Sequence, residues 1–222
     1  MKKLFSLLLI GFSSHIFCQT ITEIDSISYE FCDYLKQMKI DNDTLQLKNL
    51  YEEKFYPYLN EKTEEDVDRI GQQLYYRLQR NCITFRDLLD RIYPPKEASI
   101  RVTEKPKSTI SRKQLKAFKN EMNLYYFETS GDTTNAAMNN GIWMDYFSDN
   151  TYSKLSYNWI SNTEFELVFI ESNNESRSNY SVKGDRLFYQ ILAKEDDYYL
   201  MSVNIPGQST FEKFKIYFKT QS

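Results

Sequence analysis

Residues 211–219 read FEKFKIYFK, and apolar and charged side chains alternate along this stretch. In an extended chain, one side would carry Phe214, Ile216 and Phe218, and the opposite side would carry three lysines. Such alternation is typical of a strand with one face on a hydrophobic core and the other in water. The stretch therefore predicts an antiparallel β-sheet in the C-terminal part of the chain.

Further segments upstream have the same short, apolar-rich character. Clusters of Asn, Asp, Ser and Gly, which favour turns, separate them. Regular short strands at this spacing predict an antiparallel meander, barrel or sandwich. The eight predicted strands lie near residues 123–128, 141–147, 152–160, 163–171, 178–183, 186–194, 197–204 and 211–219.

Residues 20–92 have a helical pattern, because apolar side chains recur at every third or fourth position. The pattern predicts one helix from about Thr20 to Met38 and a second from about Thr44 to Tyr56, where Pro57 should end or kink it. A third helix should begin at Thr63 and continue to Ile92, before two prolines. Packing of the three apolar faces predicts an antiparallel three-helix unit ahead of the β-sheet, and hence the α+β class.

The first 18 residues have the layout of a secretory signal peptide, with two lysines, an apolar run over 4–12 and a polar-leaning end. The run is too short to span a membrane. We expect cleavage after Cys18, with Gln19 as the new N-terminus of a secreted or periplasmic protein. The alternative is a lipoprotein signal with Cys18 acylated, but the bulky Phe17 before it argues against that.

Removal of residues 1–18 would remove His15, the only histidine, and leave two cysteines. A Ser-His-Asp or Cys-His catalytic arrangement and a histidine-containing zinc site are then impossible. Glycine-rich phosphate-binding motifs are also missing from the sequence. We therefore expect no cofactor, no metal site and no catalytic residues, and we expect that the protein is not an enzyme.

The two remaining cysteines are Cys32 and Cys82. Cys82 lies on the apolar face of the third predicted helix, and Cys32 flanks that of the first. In an oxidising compartment such a pair predicts a disulfide that joins the two helices. The alternative is two separate buried thiols.

A basic segment follows the helices: residues 93–119 contain eight Lys or Arg and only two acidic residues. It could be an anion-binding strip for nucleic acid, lipid phosphates or acidic glycans. The other interpretation is a solvated linker over 93–110 and a helix face, lying against the acidic flanks. We expect no nucleic-acid partner, because residues 97–117 contain no aromatic side chain on which a base could stack.

Short motifs in the β half resemble those of a known family. Gly141-Ile142-Trp143 matches the G-x-W motif of the lipocalins, in which the tryptophan caps one end of an eight-stranded up-and-down barrel. With two further stretches, it resembles the lipocalin-like half of uncharacterised proteins exported by Gram-negative bacteria. The stretches are Trp159 before Asn162-x-Glu164-Phe165-Glu166-Leu167, and Lys183-Gly184-Asp185. The resemblance implies a lipocalin-like domain in this half, and it covers nothing of the helical half. With the patterns described above, the predicted division is a signal peptide (1–18), a helical domain (19–92), the basic linker (93–110) and a lipocalin-like β domain (111–222).

Aromatic side chains in the β half are the candidate site residues. They would either line an apolar ligand cavity inside a barrel or fill an ordinary core. The candidates are Trp143, Tyr157, Trp159, Phe165, Phe169 and Tyr189. The first hypothesis is a non-catalytic binding protein for a small hydrophobic ligand or an envelope component, such as an envelope protein. The alternatives are a protein–protein interaction module with a fully packed β core, and a glycan-active hydrolase that uses paired carboxylates.

Overall fold

The structure is a computed structural model that describes residues 21–97, 99–121 and 123–218. The predicted signal peptide, its cleavage after Cys18 and the new N-terminus at Gln19 lie outside these residues. The described helices are α1 (Ile21–Gln37), α2 (Asp43–Leu50), a π-helical turn (Tyr51–Phe55), α3 (Tyr56–Asn60), α4 (Glu64–Asn81), α5 (Ile83–Ile92), α6 (Arg112–Asn120) and α7 (Glu175–Tyr180). In these parts of the chain, no helix has the length and apolarity needed to cross a membrane.

The C-terminal part is a closed barrel of eight antiparallel strands, each paired with the next along the chain. The strands are β2 (Asn123–Phe127), β3 (Thr133–Asn139), β4 (Ile142–Tyr146), β5 (Tyr152–Trp159), β6 (Glu164–Ser172), β7 (Arg186–Lys194), β8 (Tyr198–Asn204) and β9 (Phe211–Phe218). Closure occurs where Leu124 pairs with Phe218 and Tyr125 with Tyr217. The predicted α+β class with an antiparallel barrel is confirmed.

A ninth strand, β1 (Ile100–Val102), pairs with the beginning of β9 and lies within the predicted basic linker. This segment lies along the barrel, since the Thr109 N–H donates to the Leu192 carbonyl oxygen at 2.7 Å. Its Arg101 pairs with Asp87 and Glu212. The basic side chain is thereby matched by acidic groups of α5 and β9.

One of the eight predicted strands is wrong, and one strand of the barrel was not predicted. Residues 178–183 do not form a strand: α7 extends over the first half of them, to Tyr180, because the Asn174 side chain caps the helix by accepting from the Arg177 N–H. The strand β3 was missed because its sequence, TTNAAMN, is rich in alanine and asparagine, which have low β propensity. Two barrel strands therefore precede Trp143, where the sequence predicted one.

The tight turn between β3 and β4 follows the predicted Asn-Gly signal. Asn140 and Gly141 both have positive φ angles, of 48° and 75°, which a two-residue hairpin turn of this kind requires. The following strand begins at Ile142, one residue after the glycine. Trp143 is consequently the first inward-facing side chain of β4, and only 4% of it is exposed.

The helices also differ from the prediction in two places. The predicted helix over 63–92 is broken at Cys82, whose backbone is extended, and the Cys82 sulfur accepts from the Phe85 N–H at the beginning of α5. The predicted second helix continues past Pro57 to Asn60. The π-helical turn Tyr51–Phe55 lies just before Pro57 and changes the backbone hydrogen-bond pattern from i→i−4 to i→i−5. This change accommodates the proline, which has no N–H to donate.

The predicted disulfide between Cys32 and Cys82 is confirmed. The two Cα atoms are 5.5 Å apart, inside the usual disulfide range. Both cysteines are buried in the helical core, beside Leu35, Leu74 and Leu78. The bridge therefore fixes α1 against the junction of α4 and α5.

Buried arginines of α4 join the helices to the barrel. Arg77 is 3% exposed, and its guanidinium binds both carboxylate oxygens of Asp25 on α1, at 2.6 and 2.8 Å. The same side chain donates to Asp185, in the turn before β7, and to the Tyr180 carbonyl oxygen. Arg80 approaches Asp185 at 3.2 Å. The helices and the barrel thus share one ionic cluster, in which the buried Arg77 and Arg80 bind the partly buried Asp25 and Asp185.

We predict that replacing both Cys32 and Cys82 with serine lowers the free energy of unfolding by ~4 kcal/mol, because a bridge over about 50 residues restricts the unfolded chain. Urea denaturation monitored by circular dichroism measures the difference. An unchanged midpoint and slope would show that the bridge contributes nothing to stability.

We also predict that Arg77→Met costs ~3 kcal/mol, because it leaves the partly buried Asp25 without its cation, while Asp185 keeps only Arg80. Arg69→Met, on the same helix, is the matched control. The pair of Arg69 with Asp66 is exposed and should contribute less than ~1 kcal/mol. Equal losses of stability in the two variants, measured by denaturant unfolding, would contradict the role of the ionic cluster.

Candidate functional site

The barrel interior is packed in the half that lies against α6. Phe118 of α6 is fully buried there, with its ring centroid 4.9 Å from that of Tyr199 and 6.2 Å from that of Phe165. The candidate residues Tyr157 and Trp159 contact Phe165 from β5. In this half, the aromatic side chains therefore fill an ordinary hydrophobic core.

The other half of the barrel contains a cavity. It belongs to a pocket of about 590 Å³ that continues to the outer surface. Tyr126, Tyr189 and Phe214 face the barrel interior and are only half buried, although they lie deep in the fold. Their remaining exposed surface faces the cavity. Trp143 forms part of its wall and contacts Phe165 at 6.1 Å, at the boundary with the packed half.

The opening of the pocket lies in the barrel wall beside β9. One edge of β9 pairs with β1 as far as Lys213 and with β2 from Tyr217 onward. In the described register, the three residues between them have no strand partner on that edge. On the side of this opening that faces away from β9, the chain before β1 is held beside the end of β2. Here the Lys96 N–H donates to the Thr129 carbonyl oxygen at 2.9 Å. The result is a window, framed by β1, β2 and β9, that joins the cavity to the surface.

Aromatic side chains surround the outer side of this window. Tyr217 stacks on Tyr125 at 5.1 Å, and it also contacts Phe127 and Tyr198. The exposed side chain of Ile100 lies among the residues that line the same opening. An apolar molecule would therefore meet apolar surface before it reached the cavity.

Ionisable groups lie on the wall of the cavity. Asp145 follows Trp143 by two residues on β4, so both side chains face inward, and the Trp143 Nε1–H donates to an Asp145 carboxylate oxygen at 2.8 Å. Glu128, just beyond the end of β2, accepts from the Thr134 hydroxyl at 2.7 Å and pairs with Arg177 of α7. Glu128 and Asp145 are thus two carboxylates that line the same cavity. The Arg177 guanidinium is the cation that lines the cavity beside them.

Burial raises the pKa of Asp145 to about 6. The hydrogen bond from Trp143 and the positive charge of Arg177 oppose this shift, and the negative charge of Glu128 adds to it. Burial also raises the pKa of Tyr126 and of Tyr189, so both hydroxyls are neutral donors at physiological pH. The Asp145 carboxyl therefore changes its charge close to neutrality inside an otherwise aromatic cavity.

Two of the six predicted cavity candidates line the pocket, namely Trp143 and Tyr189. Tyr157, Trp159 and Phe165 belong to the packed half, and Phe169 is a buried core residue. Sequence reasoning missed Glu128, Asp145 and Arg177. Asp145 had a detectable signal, since an acid two positions after an inward tryptophan must also face inward, whereas Arg177 lies just before the segment 178–183 that was predicted as a strand.

The chain matches no family model, no curated protein and no solved structure. The function must therefore be inferred from the cavity itself. Among the described residues, no group of three or more His, Cys, Asp or Glu side chains is placed to hold a metal ion.

We predict that Asp145→Asn changes how stability depends on pH. A carboxyl group whose pKa is raised on folding stabilises the protein below its unfolded pKa of ~3.9, and this stabilisation is lost as the pH rises through the folded pKa. Relative to the wild type, the free energy of unfolding of the variant should rise by ~2 kcal/mol between pH 4 and pH 7, which urea denaturation at several pH values measures.

The control variant is Asp149→Asn. Asp149 is exposed, and hydrogen bonds from Thr151 lower its pKa. Its contribution is present at neutral pH and is lost as the pH falls, so this variant should shift in the opposite direction. The same pH dependence in both variants would contradict the buried environment of Asp145.

Proposed function

We propose that this protein is an exported, non-catalytic binding protein that holds one small, largely apolar ligand in the barrel cavity. The observation that carries the proposal is the pocket of about 590 Å³, which joins the barrel interior, with its partly buried inward aromatic side chains, to the outer surface through the window. This volume lies in the range of sites for small molecules, and such sites combine apolar walls with a few polar groups.

The architecture supports a lipocalin-like use of the barrel. The strands follow one another around the barrel as an up-and-down meander, and Trp143 of the Gly141-x-Trp143 motif is buried beside the cavity. The motif lies on the third barrel strand, β4, so two strands of the barrel precede it. The packed half supplies stability, so the other half can remain hollow.

Export rests on two features of the chain. The first is the signal-peptide pattern of residues 1–18, and the second is the disulfide between Cys32 and Cys82, which is compatible with an oxidising compartment. We therefore propose that the protein acts in the periplasm or outside the cell, on a free small molecule or an envelope component.

A glycan-active hydrolase is the second candidate, because Glu128 and Asp145 both line the pocket. Both oxygens of Glu128 are engaged, one by Thr134 and the other by Arg177. A carboxylate held in this way is poorly placed to act as a nucleophile or base. Release of nitrophenol from a panel of nitrophenyl glycosides by the wild type, lost in Asp145→Asn, would favour the hydrolase.

The ligand site can be tested with the apolar dye N-phenyl-1-naphthylamine, whose fluorescence rises in apolar cavities. We expect saturable binding by the wild type and a loss of at least about tenfold in affinity for Val203→Phe, because Val203 lines the cavity and the larger ring fills it. Val168→Phe is the control, since it adds the same atoms to the outer face of β6.

Native mass spectrometry of protein purified from its own organism provides a second measurement. We expect a retained molecule whose mass disappears in Val203→Phe and persists in Val168→Phe. If the dye does not bind, or if both variants bind it as the wild type does, the cavity is not a ligand site and the proposal fails.

A further inference from the structure

We infer that the ligand carries a protonated amine on an apolar body, and that the amine binds Asp145. This inference rests on the proposed function, because it concerns the occupant of the same cavity. It follows from the balance of charges around the cavity and from the nature of the walls.

The balance of charges leaves one negative charge in excess, because two carboxylates, Glu128 and Asp145, share the positive charge of one guanidinium, that of Arg177. Arg177 forms an ion pair with Glu128, whereas Asp145 forms no ion pair with a described lysine or arginine and receives only the longer-range attraction of Arg177. Neutral groups, the Trp143 N–H and the Tyr126 hydroxyl, supply its hydrogen bonds. A buried carboxylate without a cation is poorly stabilised, and an ammonium group on the ligand would supply the missing charge.

The other acidic residue at this end of the barrel does not need a ligand cation. Glu212 also lines the pocket, but it pairs with Arg86 of α5 and with Arg101 of β1. The charged groups that remain to face a ligand near β4 are therefore Asp145 and the paired Glu128 and Arg177. An anionic ligand would meet two carboxylates and a guanidinium that is already engaged.

The walls of the cavity favour a cation as well. Trp143, Tyr126, Tyr189 and Phe214 present aromatic surface around Asp145. Aromatic rings attract a positive charge placed over their faces, most strongly where water is excluded. The lysines at the opening, Lys213 and Lys215, lie on the outer face of β9, and the Lys215 ammonium already lies 4.8 Å from the Tyr198 ring. They do not compete for the interior.

Three molecules with the same hydrocarbon chain test the inference: octylammonium, octanol and octanoate. Each is titrated at pH 7.5 against protein loaded with N-phenyl-1-naphthylamine, and dye displacement is measured. For the wild type we expect octylammonium to bind at least about tenfold more tightly than octanol, a difference of ~1.4 kcal/mol, and octanoate to bind most weakly.

Two variants show where the ammonium binds. In Asp145→Asn, the preference for octylammonium over octanol should fall to within about threefold, with displacement measured against the variant's own affinity for the dye. Glu171→Gln removes one negative charge from the exposed end of β6, where Glu171 is close to Lys154, and should keep the full preference. An equal loss in both variants would indicate a general effect of net charge and would overturn the inference.

Proton release gives a second readout. Because burial raises the pKa of Asp145 to about 6, binding of an ammonium near pH 6 should release protons from this carboxyl, which calorimetry in two buffers of different ionisation enthalpy measures. No release would place the ammonium elsewhere. If the dye binds and the three molecules displace it equally, the inference fails alone; if the dye does not bind, the proposed function fails first.

Discussion

The buried contact of Arg77 with Asp25 and Asp185 is the interaction on which the arrangement of this protein depends. One guanidinium is shared by the first helix, the fourth helix and the turn before β7. Because the guanidinium is withdrawn from water, it is stabilised only while its carboxylate partners are in place. The helices and the barrel are therefore coupled through this ionic cluster, and through further ion pairs such as Arg86 with Glu212, rather than through a continuous hydrophobic core, since their two cores are separate.

This coupling determines where the cavity can open. α7 connects β6 with β7, packs against α4 and sends Arg177 to the cavity wall. On the same side, Arg86 of α5 binds Glu212 at the beginning of β9. The opposite half of the barrel is filled by Phe118 and its aromatic neighbours. Access from the surface is consequently through the side window, where β1 and β2 share one edge of β9.

The cavity combines an apolar, aromatic wall with a buried ionisable side chain, Asp145. Its aromatic wall resembles a core in composition, yet Asp145 on that wall is polar and its pKa lies near neutrality. A protein under selection for stability alone would replace such a residue with an apolar one, because a buried carboxylate without a cation is costly. Its presence in the hollow half, and the tight packing of the other half, are what a site built for a ligand would show.

The sequence by itself determined the elements whose signals are local. The alternation over 211–219 predicted a strand, the Asn-Gly turn was located correctly, and the two cysteines predicted their own bridge. Only the tertiary structure decided the rest. The alanine-rich β3 is held by pairing with its neighbours, Cys82 breaks a helical pattern at the bridge to α1, and Arg177 reaches Glu128 only because α7 lies near the end of β2. Asp145 and Arg177 are 32 residues apart in the chain. They share a cavity because barrel closure brings distant strands together, and no periodicity in the sequence encodes that distance.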